Sequence, residues 1–408
     1  MTSIISSLTP SQVHTLSTTA IAGLKTTDIG ALSTSQAAQL TAAQLNSLNT
    51  TDLQFLVTTQ IQALAPSVVA ALVTLQIQNF TTTQVGELTS TQVAALTTSE
   101  IGALTSTEVH NLTTTQAGAL TSAQLGGLTT TAVNNLSTTQ VTALTSTQLH
   151  GLTANQLNNL TTANLDAVTV TNLTNAQVAG LNTTAITNLT TTEVTTLTST
   201  QAAALTTSQI GALTSTEVHN LTTTQAGALT SAQLGGLTTT AVNNLSTTQV
   251  TALTSTQLHG LTANQLNNLT TANLDAVTVP NLTNAQVAGL NTTAVQNLTT
   301  TQVTALTSSE VGALTALQIN ALTTTEISGF TASQAGALTS AQLAGINTTQ
   351  FAALSSTTGI PALSTTALAG ITTSEIAALT TTQGNAFLSA QVGALSDAQA
   401  SALVTLVG

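Results

Sequence analysis

One feature governs what this chain can fold into: a leucine that returns every eight residues. From Leu8 the step of eight lands on Leu16, Leu24, Leu32 and so on to Leu160 and Val168. A five-residue step then reaches Leu173, and eights run to Val277. A second five-residue step reaches Leu282, eights run to Leu354, a nine-residue step reaches Leu363, and eights continue to Leu403. All 51 of these lead positions are apolar and 44 are Leu. A fixed period of this kind marks a repeat architecture before any other reading. The octad reads Leu, Thr/Ser, Thr/Ser, Thr/Ser/Ala, Gln/Glu/Asn, Val/Ile/Leu/Ala, variable, Ala/Asn/Gly, as in Leu104-Thr105-Ser106-Thr107-Glu108-Val109-His110-Asn111.

Eight residues cannot repeat along an unbroken α-helix with the leucines on one face. At ~100° per residue the stripe drifts by about 80° per octad. An unbroken strand fails too, because positions 1 and 6 point to opposite faces. The chain therefore turns within every octad. Thr at position 2 with Gln or Glu at position 5 spells a capping box. Nine of the 13 acidic residues stand at position 5, where a carboxylate meets the positive end of a helix. Pro10 and Pro66 fall at position 3, the first helical residue. Asn, Gly or Ala at position 8 suits a helix end or tight turn. The expected fold is an all-α solenoid of short Thr-capped helical turns, with the leads and position 6 burying against neighbouring octads. The alternative is a β-solenoid, since Thr and Val also favour strands.

The expected organisation is a lead at 1–7, an octad array at 8–167, a step at 168–172, an array at 173–276, a step at 277–281, an array at 282–353, a step at 354–362 and a final array at 363–408. The steps read as kinks or phase corrections. Residues 101–185 recur as 210–294 with one change, Thr171 against Pro280. Such a duplication implies that added length is tolerated.

Composition excludes whole classes of function. Only 3% of the 408 residues are charged; Lys25 is the single cation, and the net charge is −12. Such a chain cannot neutralise phosphates, so nucleic acid is not an expected partner. With no Cys there are no disulfides or thiolate metal sites. No apolar run reaches transmembrane length, so membrane insertion is not expected. The stretch Met1-Thr2-Ser3-Ile4-Ile5-Ser6-Ser7 is not a cleavable export signal.

No catalytic, cofactor-binding or metal-ligating residues are expected. His14, His110, His150, His219 and His259 all occupy position 7, which reads as an exposed, solvated slot. His110 and His150 lie five octads apart and would share a face only if a turn of the solenoid matched that spacing. No two acidic residues are closer than eight positions, which does not suit calcium. A near-perfect repeat offers no unique constellation for an enzyme.

The octad Leu88-Thr89-Ser90-Thr91-Gln92-Val93-Ala94-Ala95 and the end Ser401-Ala402-Leu403-Val404-Thr405-Leu406-Val407-Gly408 resemble those of Thr-rich, Lys-poor, Cys-free secreted bacterial surface proteins. These are surface-layer proteins, adhesins and matrix proteins exported by type I secretion. The resemblance implies an extracellular location at a bacterial surface and an uncleaved C-terminal export signal. It departs from calcium-binding adhesins in lacking their Gly-Asp repeats. The expected function is structural: a subunit of an extracellular filament or surface layer, assembled head to tail from copies of this chain. Cell-surface glycans or other matrix components are further expected partners. The alternative is a binding module, either an adhesin stalk or an ice-binding solenoid with rows of Thr.

Overall fold

The structure is a computed structural model that describes residues 3–408; Met1 and Thr2, the start of the expected lead, lie outside the described residues. Among the described residues there are 46 short α-helices, five 3-10 turns and no strand. The protein is an all-α repeat solenoid, and the β-solenoid alternative does not hold.

The local reason is the capping box. Thr113 is extended, with φ −67° and ψ 160°. Its hydroxyl accepts from the Gln116 N–H at 3.2 Å, and the Gln116 Oε1 accepts from the Thr113 N–H at 2.7 Å. Both ends of the box satisfy amides that a helix start leaves without partners. The turn Thr114–Ala117 then closes and the chain re-enters extended geometry at the next lead. The box survives in part where the hydroxyl is missing. Val57 and Leu388 replace Thr at position 2, yet their N–H groups still reach Gln60 and Gln391 at 2.8 and 2.7 Å.

Position 8 does not act as the left-handed turn that its Asn and Gly suggest. No described residue has a positive φ, glycines included. The corner is made by two consecutive extended residues, the lead and the N-cap, as at Leu112 (φ −56°, ψ 138°) and Thr113. Extended geometry is open to any L-residue, so the corner places no demand on glycine.

Each helix packs on the one three elements earlier. Pro10–His14 meets Thr34–Ala37, which meets Thr58–Ala63; Ser90–Ala95 meets Thr114–Ala117, which meets Thr138–Thr142. A coil therefore has three sides and takes three octads. The 3-10 turns at Val170–Asn172, Val279–Asn281 and Ile360–Ala362 fall in the sequence steps, and each fills one whole side, so the count of three runs on through them. The leads and position 6 form the apolar core, for example Leu96, Val93, Leu120 and Leu125. Fully burying each such side chain contributes about 1.5–3 kcal/mol. A turn of four to six residues could not hold without that burial.

The chain forms two compact units, one ending at Ala204 and the other running Leu205–Gly408. The octad pattern does not persist to the end as helical turns. Asp397–Val407 is one continuous helix of 11 residues, laid against Thr373–Ala377 and Thr381–Gly384. After the lead Leu403 the next cap position holds Val404 and its partner position Val407, so no capping box can restart and the turn propagates.

Candidate functional site

Position 5 carries more than the cap. Its glutamines are buried polar residues, Gln92 at 1% and Gln124 at 2% exposure. The Gln124 Nε2 donates to the carbonyls of Val93 at 2.8 Å and Leu96 at 2.6 Å, in the preceding coil. Gln92 repeats this on Ile61 and Leu64, Gln156 on Leu125 and Leu128, and Gln318 on Val287 and Leu290. One side chain thus accepts from its own N-cap amide and donates to two carbonyls at the corner below. These carbonyls sit where a helix ends and the chain bends, so no backbone donor is in register for the lead carbonyl. The amide supplies one, as a buried acceptor requires. At the step 168–172 the bond follows the structure and not the residue count: Gln177 reaches Leu149 and Leu152, both at 2.8 Å.

Position 7 is exposed, but it is not merely solvated. Its polar residues bond to the coil that follows. Asn46 donates to the Ala71 carbonyl at 3.1 Å, and Asn320 to Gly345 at 2.9 Å. Asn residues here also take over the N-cap amide when position 5 cannot reach it. Asn164 is one methylene short, and the Thr161 N–H donates instead to the Asn134 Oδ1 at 2.7 Å. Ala185 has no acceptor, and the Asn182 N–H donates to the Asn158 Oδ1 at 2.7 Å.

Three of the five histidines follow the same rule. The Nδ1 of His110 lies 2.7 Å from the Asn135 carbonyl, that of His14 2.8 Å from Gln39, and that of His219 2.8 Å from Asn244. A carbonyl only accepts, so in each case Nδ1 carries the hydrogen. These rings stitch successive coils. With three octads per coil, the five-octad spacing of His110 and His150 places them on different sides, and they do not come together. A surface depression of about 270 Å³ is open and lined by Ser106, Thr107, His110 and Asn135. Among the described residues no three His, Asp or Glu side chains gather in a metal-binding group. No helix of the described residues is long and apolar enough to cross a membrane.

Glycine matters through contact distance. A Cβ on Gly151 would lie 1.9 Å from the Ser122 carbonyl oxygen, and one on Gly126 2.7 Å from that of Gly151. Neighbouring coils approach most closely there, on the side built by octads 96, 120 and 144. The acidic residues cap as expected: Glu108 accepts from the Thr105 N–H at 2.7 Å. Asp28 also accepts from the Ser3 hydroxyl at 2.5 Å and from the Lys25 N–H at 3.1 Å, and these bonds hold its carboxyl below the usual value.

Sequence reasoning found the cap but missed the coil-to-coil amide. A signal existed: a carboxylate would cap as well as Gln, yet Gln dominates position 5, and only Gln can also donate.

The description ALTTAQ repeat belongs to a family model that matches residues 203–239 and 279–316. No curated protein matches the chain. Among solved structures, the leucine-rich repeat-containing protein LegL7 from Legionella pneumophila is similar at 12% identity, covering 67% of this chain and 79% of that one, with a TM-score of 0.16. The chain is a repeat protein, and two of its segments carry the ALTTAQ pattern.

Proposed function

We propose that the protein is structural and assembles with further copies of itself outside the cell, as the subunit of a bacterial filament or surface layer. The observation that carries this reading is the polarity of the amide ladder. Each coil presents position-5 donors to the coil before it and corner carbonyls to the coil after it. A coil of one copy can meet a coil of another with the bonds already used within the chain. A contact of that kind is heterologous and does not close on itself, which makes a filament. The near absence of charge removes repulsion between stacked copies. The Thr-rich, Cys-free composition supports an extracellular location.

The helix Asp397–Val407 covers two of the helices on which a following coil would sit. Head-to-tail docking at that end displaces it. The test is negative-stain microscopy and sedimentation of the full chain and of a variant lacking residues 397–408. Unbranched fibres, formed more readily by the shortened chain, are expected. Monomers at high concentration in both would refute the reading.

A binding function rests on a separate observation. On one side of the first unit the exposed hydroxyls of Thr91, Thr115 and Thr139 recur once per coil. A regular hydroxyl row of this kind suits ordered water, and thermal hysteresis above that of a control protein would favour it.

A further inference from the structure

Beyond the duplicated segments, the same 109-residue offset carries a natural exchange at position 5. At the 109-residue offset Gln201 corresponds to Glu310, and Glu193 corresponds to Gln302. Gln and Glu have the same shape but differ in one respect: the amide nitrogen donates, whereas an ionised carboxylate only accepts.

Gln201 behaves as the ladder requires. Its Oε1 accepts from the Thr198 N–H at 2.9 Å, and its Nε2 donates to the carbonyls of Val170 at 2.9 Å and Leu173 at 2.8 Å. At the offset position the Glu310 Oε2 accepts from the Thr307 N–H at 2.6 Å. The Oε1 stands where the amide nitrogen would be. It is buried, on a side chain 2% exposed, and has no hydrogen-bond partner. The carbonyls equivalent to the Gln201 acceptors are those of Val279 and Leu282. The reverse exchange repeats the pattern. The Gln302 Nε2 donates to Leu274 at 2.8 Å and Val277 at 3.0 Å, while the Glu193 Oε1, at the position whose equivalent carbonyls are those of Leu165 and Val168, has no partner on a side chain that is only half-buried.

The Val279 carbonyl receives the Leu282 N–H at 2.9 Å, but the carboxylate brings no hydrogen to either carbonyl, and a buried carboxylate without a counter-charge is costly. We propose that the Glu310 carboxylate with the carbonyls of Val279 and Leu282 binds a small monovalent metal cation of the sodium class. The chemistry selects this class. All the donors are hard oxygens and none is the nitrogen or sulfur that zinc prefers. Calcium carries two charges and takes six to eight oxygens, usually from several carboxylates, whereas this site supplies a single carboxylate. One carboxylate is neutralised by one positive charge. The cation would bridge two coils at the place where glutamine elsewhere does so with two N–H bonds.

The test is thermal unfolding of the full chain at constant neutral pH and ionic strength, in sodium chloride and in tetramethylammonium chloride, whose cation is too large for the site. The Tm of the unmodified chain should be higher in sodium. Glu310→Gln should shrink that gap and Gln201→Glu should widen it, while Glu193→Gln, at a half-exposed position that water can reach, should change it less. Each variant installs the residue that position 5 carries 109 residues away, in the same octad context, so folding is not at issue. A gap of zero, or one unchanged by both Glu310→Gln and Gln201→Glu, would overturn the proposal. So would a Tm difference between variants that follows pH and ignores the cation, because a proton would then hold the oxygens together.

Discussion

Replacing Gln124 by Leu removes a coil-to-coil bond while keeping volume. Three hydrogen bonds disappear: the Thr121 N–H loses its 2.7 Å acceptor, and the Val93 and Leu96 carbonyls lose the amide at 2.8 and 2.6 Å. These losses are unequal. The Val93 carbonyl still receives the Leu96 N–H at 3.2 Å. Thr121 is exposed, so water replaces the partner of its N–H, at a cost of about 1 kcal/mol for a weakened cap. The Leu96 carbonyl sits under the side chain and has no other donor, which costs ~2 kcal/mol. The sum is about 3 kcal/mol by the same reasoning. Gln12 provides an internal control. It caps Thr9 at 2.8 Å in the first coil but donates to no carbonyl, so Gln12→Leu should cost only about 1 kcal/mol. Native-state hydrogen exchange within residues 89–128 is the suitable assay, together with urea unfolding, because a repeat array opens locally. Equal effects of the two substitutions would show that the amide ladder contributes nothing beyond the cap.

Gly151→Ala should destabilise by roughly 1–3 kcal/mol in urea titrations, because its methyl would meet the Ser122 carbonyl. Gly30→Ala meets nothing within 4 Å and should be neutral or stabilise by up to ~1 kcal/mol. Deleting the three octads 104–127 should be tolerated better than deleting the single octad 128–135, as read by urea midpoints. The longer deletion keeps every side in register and brings Gly102 to Gly151. The shorter one brings Asn159 over Ser122, where only glycine now fits. Equal midpoints would make the octad, and not the coil, the structural unit. The Asp28 carboxyl is held low in the folded state, so the contact between Ser3 and Asp28 supports the fold above the ordinary carboxylate range and is lost as pH falls through the lowered value. NMR titration should show that value rising in Ser3→Ala, and no change would discount the bond.

The leucine period and the Thr-to-Gln spacing were enough to give helical turns, their first residues and the apolar core, because capping and burial are local consequences of residue order. Thr113 with Gln116, and Leu112 with Val109, could be placed without a structure. The number of octads per coil could not. Nothing in one octad encodes which later octad it meets; that is decided when the corner made by two extended residues closes after three sides. Once it closes, residues 24 to 31 apart become neighbours, and the second function of each group follows. Gln124 reaches back to Val93, His110 reaches forward to Asn135, and Gly151 is confined by Ser122. The buried oxygen of Glu310 belongs to the same class. The sequence alone makes it a good cap, and only the coil beneath, with carbonyls where a donor is needed, turns the loss of one N–H group into a candidate cation site.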